Sequence, residues 1–339
     1  MSSRPGTVGV AEPAWERAVT VLSGAREVAL ICHVNPDGDA LGSLLGLGQA
    51  LRARSRRVVG CWPGGTVMPA TYGYLPGQSI LVTPSAFPTA PEVLVVLDAS
   101  SPERLGGLAD RLATAGTVVV VDHHAHGEGI DGVLLVDDRA AATAVIVEEL
   151  LRRLGLPLTA DIATCLFTGV TTDTGSFKFA SATAAVHELA ARLLATGIRH
   201  DDISRRVFDT TSLGYLRLLG TALGRTRLEA SAAGGLGLVW THTTTHDLET
   251  NGVAFADVER IIDVVRSAVE AEVAAVLKQD LDGSWQVSVR SKGAVDVGAV
   301  CLTLGGGGHR HAAGYTSADG LAGAVTRLRA ALDVAVPGR

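Results

Sequence analysis

Little in this chain suggests an extracellular, membrane or nucleic-acid-coating protein. Its 339 residues include only four cysteines, Cys32, Cys61, Cys165 and Cys301, with no CxxC pair, which excludes a disulfide framework and a cysteine zinc cluster and predicts reduced, buried thiols. Aromatic residues are 4% of the total, too sparse for an extended base-stacking channel along a single strand. No apolar run approaches a membrane span, and Met1 to Val10 is too polar and Gly/Pro-rich for a signal peptide. The net charge is -6, whereas coating long duplex DNA requires many phosphate-neutralising Lys and Arg side chains. A short anionic substrate remains compatible, no membrane or long duplex partner is expected, and a cytoplasmic enzyme is the default.

What is present is a recurring pattern: a β-branched apolar run followed at once by a histidine or carboxylate. Val28 to Cys32 leads into His33-Val34-Asn35-Pro36-Asp37-Gly38-Asp39, Val93 to Leu97 into Asp98, and Val118 to Val121 into Asp122-His123-His124. Such runs read as fully buried parallel strands, and ligands in open α/β sheets gather at the carboxyl ends of such strands. Expected strands over 28–31, 57–61, 93–98 and 118–122 alternate with expected helices near 40–54, 105–113 and 141–154, which implies βαβ units with right-handed crossovers. Pro63 to Pro91 reads as a long irregular connection, and Ala160 to Arg206 as mainly helical with a turn at Asp173-Thr174-Gly175.

The length favours two domains. The boundary is expected between Ala195 and Leu213: a catalytic unit over 1–195, a linker over 196–213 and a smaller mixed α/β unit over 214–339. The second unit should hold strands near 236–240, 273–278 and 285–290, a helix near 258–269 and the glycine run Gly305 to Gly308.

In the loop after the first strand, His33, Asp37 and Asp39 are placed to ligate two adjacent ions, with Pro36 and Gly38 shaping the turn. Asp98 offers two carboxylate oxygens and is the expected bridge, and His123 enters from a third strand. Asp173 supplies another candidate carboxylate. Mixed nitrogen and oxygen ligation without thiolate suits Mn²⁺, with Mg²⁺ or Co²⁺ as substitutes, and two such ions would activate a water for attack on phosphorus. Asp122 is a candidate for orienting a ligand histidine, while His124 either binds a phosphate oxygen or assists the leaving oxygen. Taken singly, an aspartate such as Asp37 is more often a turn former or cap. Three polar residues directly after four buried β-formers would lack partners unless they bind something.

These residues resemble the DHH phosphoesterase superfamily, named for the triplet found here as Asp122-His123-His124. The His33 to Ser43 segment, Asp98 and Asp173-Thr174-Gly175 match its other amino-terminal motifs. Gly305-Gly306-Gly307-Gly308-His309-Arg310-His311-Ala312-Ala313-Gly314 is similar to the glycine-rich signature of the DHH-associated carboxy-terminal domain, so the resemblance spans nearly the whole chain. It implies a parallel-sheet domain with helices on both faces, a second mixed domain and an active site in the cleft between them. It also implies one ion on His33, Asp37 and Asp98 and another on Asp39, Asp98, His123 and Asp173. By resemblance the substrates are short oligoribonucleotides and 3′-phosphoadenosine-5′-phosphate, or alternatively linear or cyclic diadenylate, and the enzyme is a homodimer. A nucleotide-binding regulatory module is the non-catalytic alternative. His311 stands where Asn is frequent, which bears on substrate choice rather than catalysis.

The glycine run also has a reading of its own. Successive glycines let backbone N–H groups converge on an anion, so Gly306, Gly307, Gly308, His309 and His311 with Arg290 and Ser291 form an expected phosphate clamp; a flexible loop is the plain alternative. Tyr315 is either a base-stacking or a core residue. Arg104, six residues after Asp98, is placed either to reach a substrate phosphate or, as the plainer reading, on a surface helix; the run Arg52, Arg54, Arg56 and Arg57 is read as a solvated helix end, and His242 with His246 as solvated.

Overall fold

The computed structural model describes residues 9–53, 57–65, 67–99, 101–124 and 129–336; the side chains of Ala256 and His309 also fall outside the description. Arg54 and Arg56 of the basic run, and Met1 to Val8 of the amino-terminal segment, lie outside the described residues. The chain divides into two compact units between Thr210 and Thr211.

The first unit runs α1 (Glu12–Gly24), β1 (Glu27–Cys32), α2 (Gly38–Arg52), β2 (Arg57–Cys61), β3 (Val93–Leu97), α3 (Arg111–Thr114), β4 (Thr117–Asp122), β5 (Val133–Val136), α4 (Thr143–Arg153), α5 (Ala160–Asp173), α6 (Ala184–Leu194) and α7 (His200–Phe208). Its five strands are all parallel in the order β2-β1-β3-β4-β5, so the chain reverses direction across the sheet between β1 and β3, the position where open α/β sheets bind ligands.

Strand alternation divides the side chains between two cores. Val28, Leu30, Val93, Val95, Leu97, Val119 and Val121 pack against residues of α1, α2, α4 and α5, whereas Ala29, Ile31, Leu94, Val96, Val118 and Val120 pack on the opposite face with Leu105 and Leu108. The cover there is thin. The helix expected over 105–113 is a 3₁₀ helix, Pro102–Leu108, followed by the short α3, because Gly106-Gly107 interrupts it and Gly106 sits at φ +49°.

Helices α2 and α5 approach closely because glycines face each other's backbones. A Cβ on Gly42 would lie 2.3 Å from the Cys165 carbonyl, and one on Gly169 would lie 2.6 Å from Asp39 Oδ1. That crossing brings Asp39, at the start of α2, beside the end of α5 that carries Asp173. The connection after β2 contains three short 3₁₀ turns, and Leu81 bridges to Gly60. The stretch expected as a linker holds α7, whose Ile203 and Val207 are buried in the first unit's core; their apolar faces supply burial that a linker would not have.

The second unit comprises α8 (Leu213–Gly224), β6 (Arg227–Glu229), β7 (Leu238–Thr243), α9 (Thr245–Asn251), α10 (Ile261–Val265), β8 (Val273–Gln279), β9 (Trp285–Ser291), α11 (Val297–Thr303), β10 (Gly307–His309), β11 (Ala312–Ser317) and α12 (Gly320–Ala335). Its six-stranded sheet has the order β10-β11-β9-β8-β7-β6, parallel at β7–β8 and antiparallel elsewhere. One sheet face packs on residues of α11 and α12 and the other on residues of α8 and α10. The helix expected over 258–269 is shorter: a 3₁₀ turn, Phe255–Arg260, precedes α10. All four cysteines are free and buried. Among the described residues no helix is long and apolar enough to cross a membrane.

Candidate metal centre

His33, Asp98 and Asp122 follow or end three neighbouring strands whose last rungs pair Cys32 with Leu97 and Leu97 with Val121, so the parallel register itself delivers them to one place. Asp98 adopts φ +58°, the left-handed region that aspartate tolerates better than most residues. Its N–H still donates to the Val121 carbonyl at 3.0 Å, which turns the chain sharply off the sheet while the carboxylate stays over the strand ends.

Asp37 does two things. It is the N-cap of α2, with Oδ1 accepting from the N–H groups of Asp39 and Ala40 at 3.1 and 3.0 Å. Its Oδ2 lies 3.9 Å from His33 Nε2. Asp39 is fully buried and reaches the start of α4: Oδ2 accepts from the Thr143 N–H at 2.5 Å, and Oδ1 from the Ala144 N–H at 2.9 Å and the Ser43 hydroxyl at 3.2 Å. Helix α4 has no cap from its own N-cap residue, Ala142, so this distant carboxylate takes that place at the positive end of the helix dipole.

Around Asp98 the imidazoles converge. His33 Nε2 is 3.3 Å from its Oδ2, and His123 Nε2 and His124 Nδ1 are 3.6 and 3.7 Å from its Oδ1. His123 Nε2 also lies 3.1 Å from Asp173 and 3.9 Å from Asp39. Carbonyl contacts orient both rings, His33 Nδ1 at 2.6 Å from Val34 O and His123 Nδ1 at 3.3 Å from Ala140 O, which directs Nε2 of each toward the acids. Three overlapping sets, His33/Asp37/Asp98, Asp39/His123/Asp173 and Asp98/His123/His124, each bring one donor atom per residue within 4.8 Å of the others. Every residue expected to ligate metal is therefore brought together.

The set fits divalent cations. His33 Nε2 and Asp122 Oδ2 are buried without a hydrogen-bond partner, a costly state for a polar atom unless a ligand satisfies it. Oxygen and imidazole donors without thiolate suit ions such as Mn²⁺ or Mg²⁺.

Electrostatics point the same way. Burial pushes Asp173 up to about 6, and burial together with the Asp173 and Asp98 carboxylates raises Asp39 well above the carboxylate range. Burial opposes charge on His123, but Asp173, Asp39 and Asp98 outweigh it and raise the imidazole well above its ordinary value. The same balance, through Asp98 and Asp37, raises His33. Burial also opposes charge on Asp98, yet His33, His123 and His124 hold it well below the carboxylate range. Protons occupy positions that cations would take.

Asp122 was expected to orient a ligand histidine; its Oδ1 instead contacts Nδ1 of His124, outside the expected ligand set, at 2.6 Å and accepts from the His124 backbone N–H at 3.2 Å. Thr143 was not legible as a site residue, and for Arg104 the surface-helix reading was preferred. Thr143 donates its hydroxyl to Asp98 at 2.9 Å while its N–H holds Asp39. Arg104 is half-buried beside the His33 loop, not on an exposed helix. Threonine opening a helix after an apolar strand was the only sequence signal for the first; for the second it was its spacing from Asp98.

In the second unit the glycine run is partly a strand, because β10 pairs with β11. A Cβ on Gly306 would meet the Gly314 carbonyl at 2.0 Å and one on Gly308 the Ala313 Cα at 2.5 Å, while one on Gly307 would meet nothing within 4 Å. Close strand approach thus explains the first two, whereas Gly305 and Gly307 leave open space for a ligand. Arg290 pairs with Glu259 at 3.2 Å, beside a polar recess lined by Glu259, Lys278, Gln286, Ser288, Gly305, Gly306 and Gly314. Ser291 is not with it: strand alternation puts it on the opposite face, where it donates to Glu272 at 2.8 Å and accepts from the Gly293 N–H at 3.0 Å. His311 is exposed, and the side chain of His309 lies outside the described residues. Tyr315 is a core residue whose hydroxyl donates to the Ala324 carbonyl at 2.8 Å. His242 is half-buried beside Trp240 and Trp285 rather than solvated, because its strand position places it between the two rings.

Comparison with known proteins places both units in known domain families. The model of the DHH family, N-terminal domain, matches residues 27–170, and that of the DHHA1 domain matches residues 245–336. A bifunctional oligoribonuclease and PAP phosphatase of Thermus thermophilus is 35% identical over 307 residues, 89% of each chain. A cyclic-di-AMP phosphodiesterase of Geobacillus thermodenitrificans is 27% identical over 85% of this chain, which spans 44% of that protein. The crystal structure of an exopolyphosphatase-related protein from Bacteroides fragilis superposes with a TM-score of 0.88 at 24% identity, covering 98% of both chains, which establishes the shared fold.

Proposed function

The chain belongs to the DHH family of phosphoesterases, and from that premise we propose that it is a Mn²⁺-dependent hydrolase that degrades short oligoribonucleotides to mononucleotides and converts 3′-phosphoadenosine-5′-phosphate to AMP. The observation that carries this reading is the convergence of donors at the ends of β1, β3 and β4, the start of α2 and the end of α5 into overlapping sets, each within 4.8 Å; the naming of the Thermus relative supplies the substrates. His33, Asp37 and Asp98 would hold one ion, and Asp39, Asp98, His123 and Asp173 the other. When bound, two divalent ions supply a nucleophile at neutral pH and neutralise charge on the phosphoryl oxygens.

The chain's own groups do the rest. Thr143 and Ser43 fix the Asp98 and Asp39 carboxylates before substrate arrives, so little reorganisation accompanies the reaction. His124, oriented by Asp122, delivers a proton to the leaving oxygen, the role expected of an imidazole aligned by a carboxylate. In the second unit, Arg290 and the open backbone at Gly307 bind a substrate phosphate.

The test is hydrolysis of 5′-phosphorylated RNA from dinucleotides to about 24 nucleotides, a range that separates a short pocket from an extended channel, alongside the bisphosphate and linear and cyclic diadenylate. Mn²⁺ is compared with chelator, and His123→Ala is the control. Metal-dependent turnover confined to the shortest RNAs and the bisphosphate is expected. Preference for a diadenylate would instead favour the second reading, which the Geobacillus relative supports; binding with no hydrolysis of any substrate would overturn both.

The raised acids and histidines set a pH dependence. For Asp173, raised to about 6, the protonated form favours the metal-free fold. That contribution is complete below the unfolded carboxylate value near 4 and is lost as pH rises through about 6. Metal needs the deprotonated groups, so Mn²⁺ affinity strengthens in the same direction. Calorimetric titration at about pH 5.5 and about pH 7.5 should show at least tenfold weaker binding at the lower pH and net proton release at the higher. Equal affinity at both would contradict the proton–metal competition.

A further inference from the structure

The 3₁₀ helix Pro102–Leu108 is fastened to the metal-ligand loop after β1. The Val34 N–H donates to the Arg104 carbonyl at 2.8 Å, a Cβ on Gly106 would lie 3.2 Å from Val34 Cγ1, and Leu105 and Leu108 anchor the segment in the core. Arg104 is thereby held next to His33, close enough that its charge opposes protonation of that imidazole. Its Nε is buried without a hydrogen-bond partner. A guanidinium N–H removed from water and left unpaired is expensive unless a ligand completes it.

Charge gives that ligand its sign. Deprotonated to bind metal, Asp37, Asp39, Asp98, Asp122 and Asp173 would carry five negative charges, and two divalent ions would return four positive ones. The balance is still negative before any phosphate arrives. A fixed guanidinium offsets that balance, and its planar fork matches phosphoryl oxygens.

We propose that Arg104 is a catalytic residue of the phosphoryl transfer, donating from its guanidinium to a non-bridging oxygen of the scissile phosphate. The inference rests on the two-ion reading above. The bond changes are those of hydrolysis: the water oxygen bonds to phosphorus, the ester P–O bond breaks, and the proton lost by water ends on the leaving oxygen. Arg104 keeps all its protons and acts on the charge that gathers at the non-bridging oxygen in the transition state. The ligand class is a tetrahedral phosphate, the common element of an oligonucleotide and a bisphosphate, so both activities should depend on it equally.

The experiment compares wild type, Arg104→Lys, Arg104→Gln and Arg104→Ala in four readouts: Mn²⁺ stoichiometry by calorimetry, binding of inorganic phosphate to the Mn²⁺-loaded protein, kcat and KM on the bisphosphate and a diribonucleotide, and rescue of Arg104→Ala by free guanidinium. The expected result is unchanged Mn²⁺ stoichiometry, phosphate bound at least about tenfold more weakly, and kcat lowered about 10²–10³-fold on both substrates in Arg104→Gln. Arg104→Lys should keep an intermediate rate, and guanidinium should restore part of the activity of Arg104→Ala. Phosphate binding and kcat within threefold of wild type would overturn the proposal. So would activity lost together with Mn²⁺ stoichiometry and not rescued, because Arg104 would then only shape the His33 loop. If wild type itself binds no Mn²⁺, the two-ion reading fails, and that outcome is separate from any effect of the substitution.

Discussion

Asp98→Asn lowers hydrolysis of both the bisphosphate and a diribonucleotide by at least about 10³-fold while the protein stays folded. Asparagine keeps the shape, retains an oxygen to accept from Thr143 at the position now 2.9 Å away, and tolerates the left-handed backbone at φ +58°. What it removes is a negative charge and the second carboxylate oxygen, at an acid that faces His33, His123 and His124 together. Steady-state rates with saturating Mn²⁺ and a circular dichroism spectrum decide it; activity within tenfold of wild type would remove Asp98 from the centre of the site.

The same variant has a stability signature in metal-free protein. Although burial opposes its charge, the three imidazoles hold the Asp98 pKa below the carboxylate range. A depressed folded value stabilises above the unfolded value near 4 and stops doing so as pH falls through the folded one. Wild type should therefore exceed Asp98→Asn in stability at neutral pH by a margin that shrinks in acid.

Mn²⁺ should raise the unfolding temperature of the first unit substantially. Asp39, Asp98 and Asp122 are each no more than 1% exposed, and donors buried this way converge only in the folded chain, so cations that bind them favour the fold. An ion at about 100 times its dissociation constant contributes about 2.7 kcal/mol. For a domain of about 150–250 residues each kcal/mol moves the midpoint by about 2–4 °C, so one ion gives about 5–10 °C and two give about twice that. Calorimetry with Mn²⁺ or chelator measures the shift, and hydrogen exchange should locate the added protection in β1, β3 and β4 rather than β7, β8 and β9. No shift, or a shift spread evenly over both units, would argue against a metal centre in the first.

The ligand-bearing strands were legible because parallel pairing buries both faces: Val93 to Leu97 is continuously apolar, and the first polar residue after such a run must sit at the sheet's end. Strand β5 escaped notice because it is four residues long and alternates between buried and half-buried positions. The segment over 105–113 carries helix-like spacing, but Gly106-Gly107 breaks it. In the second unit the whole glycine run read as a phosphate clamp, since nothing local reveals that Gly306 and Gly308 face the backbone of β11.

Within the site, every expected metal ligand could be named from short-range pattern alone. Thr143 could not, and the spacing of Arg104 from Asp98 did not outweigh its surface-helix reading. Thr143 meets Asp98 across 45 positions of sequence, and Arg104 matters because a 3₁₀ turn, not the expected α-helix, fastens it to the His33 loop. Such contacts arise from tertiary packing, to which periodicity is blind. Ser291 illustrates the reverse error: adjacency to Arg290 suggested shared purpose, and strand alternation separates them.

Asp37 is both the cap of α2 and a donor in the site, and that double duty has an evolutionary consequence. In a descendant released from selection for hydrolysis, Asp173 is free to be lost, since it ends its helix rather than capping the start of one. Position 37 is not: replacing a capping side chain with alanine costs about 1 kcal/mol, while Asn or Ser preserves the cap. A decayed lineage would therefore keep a short polar residue at 37 long after an acid such as Asp173 had drifted, and the helix start would preserve the outline of a centre that no longer worked.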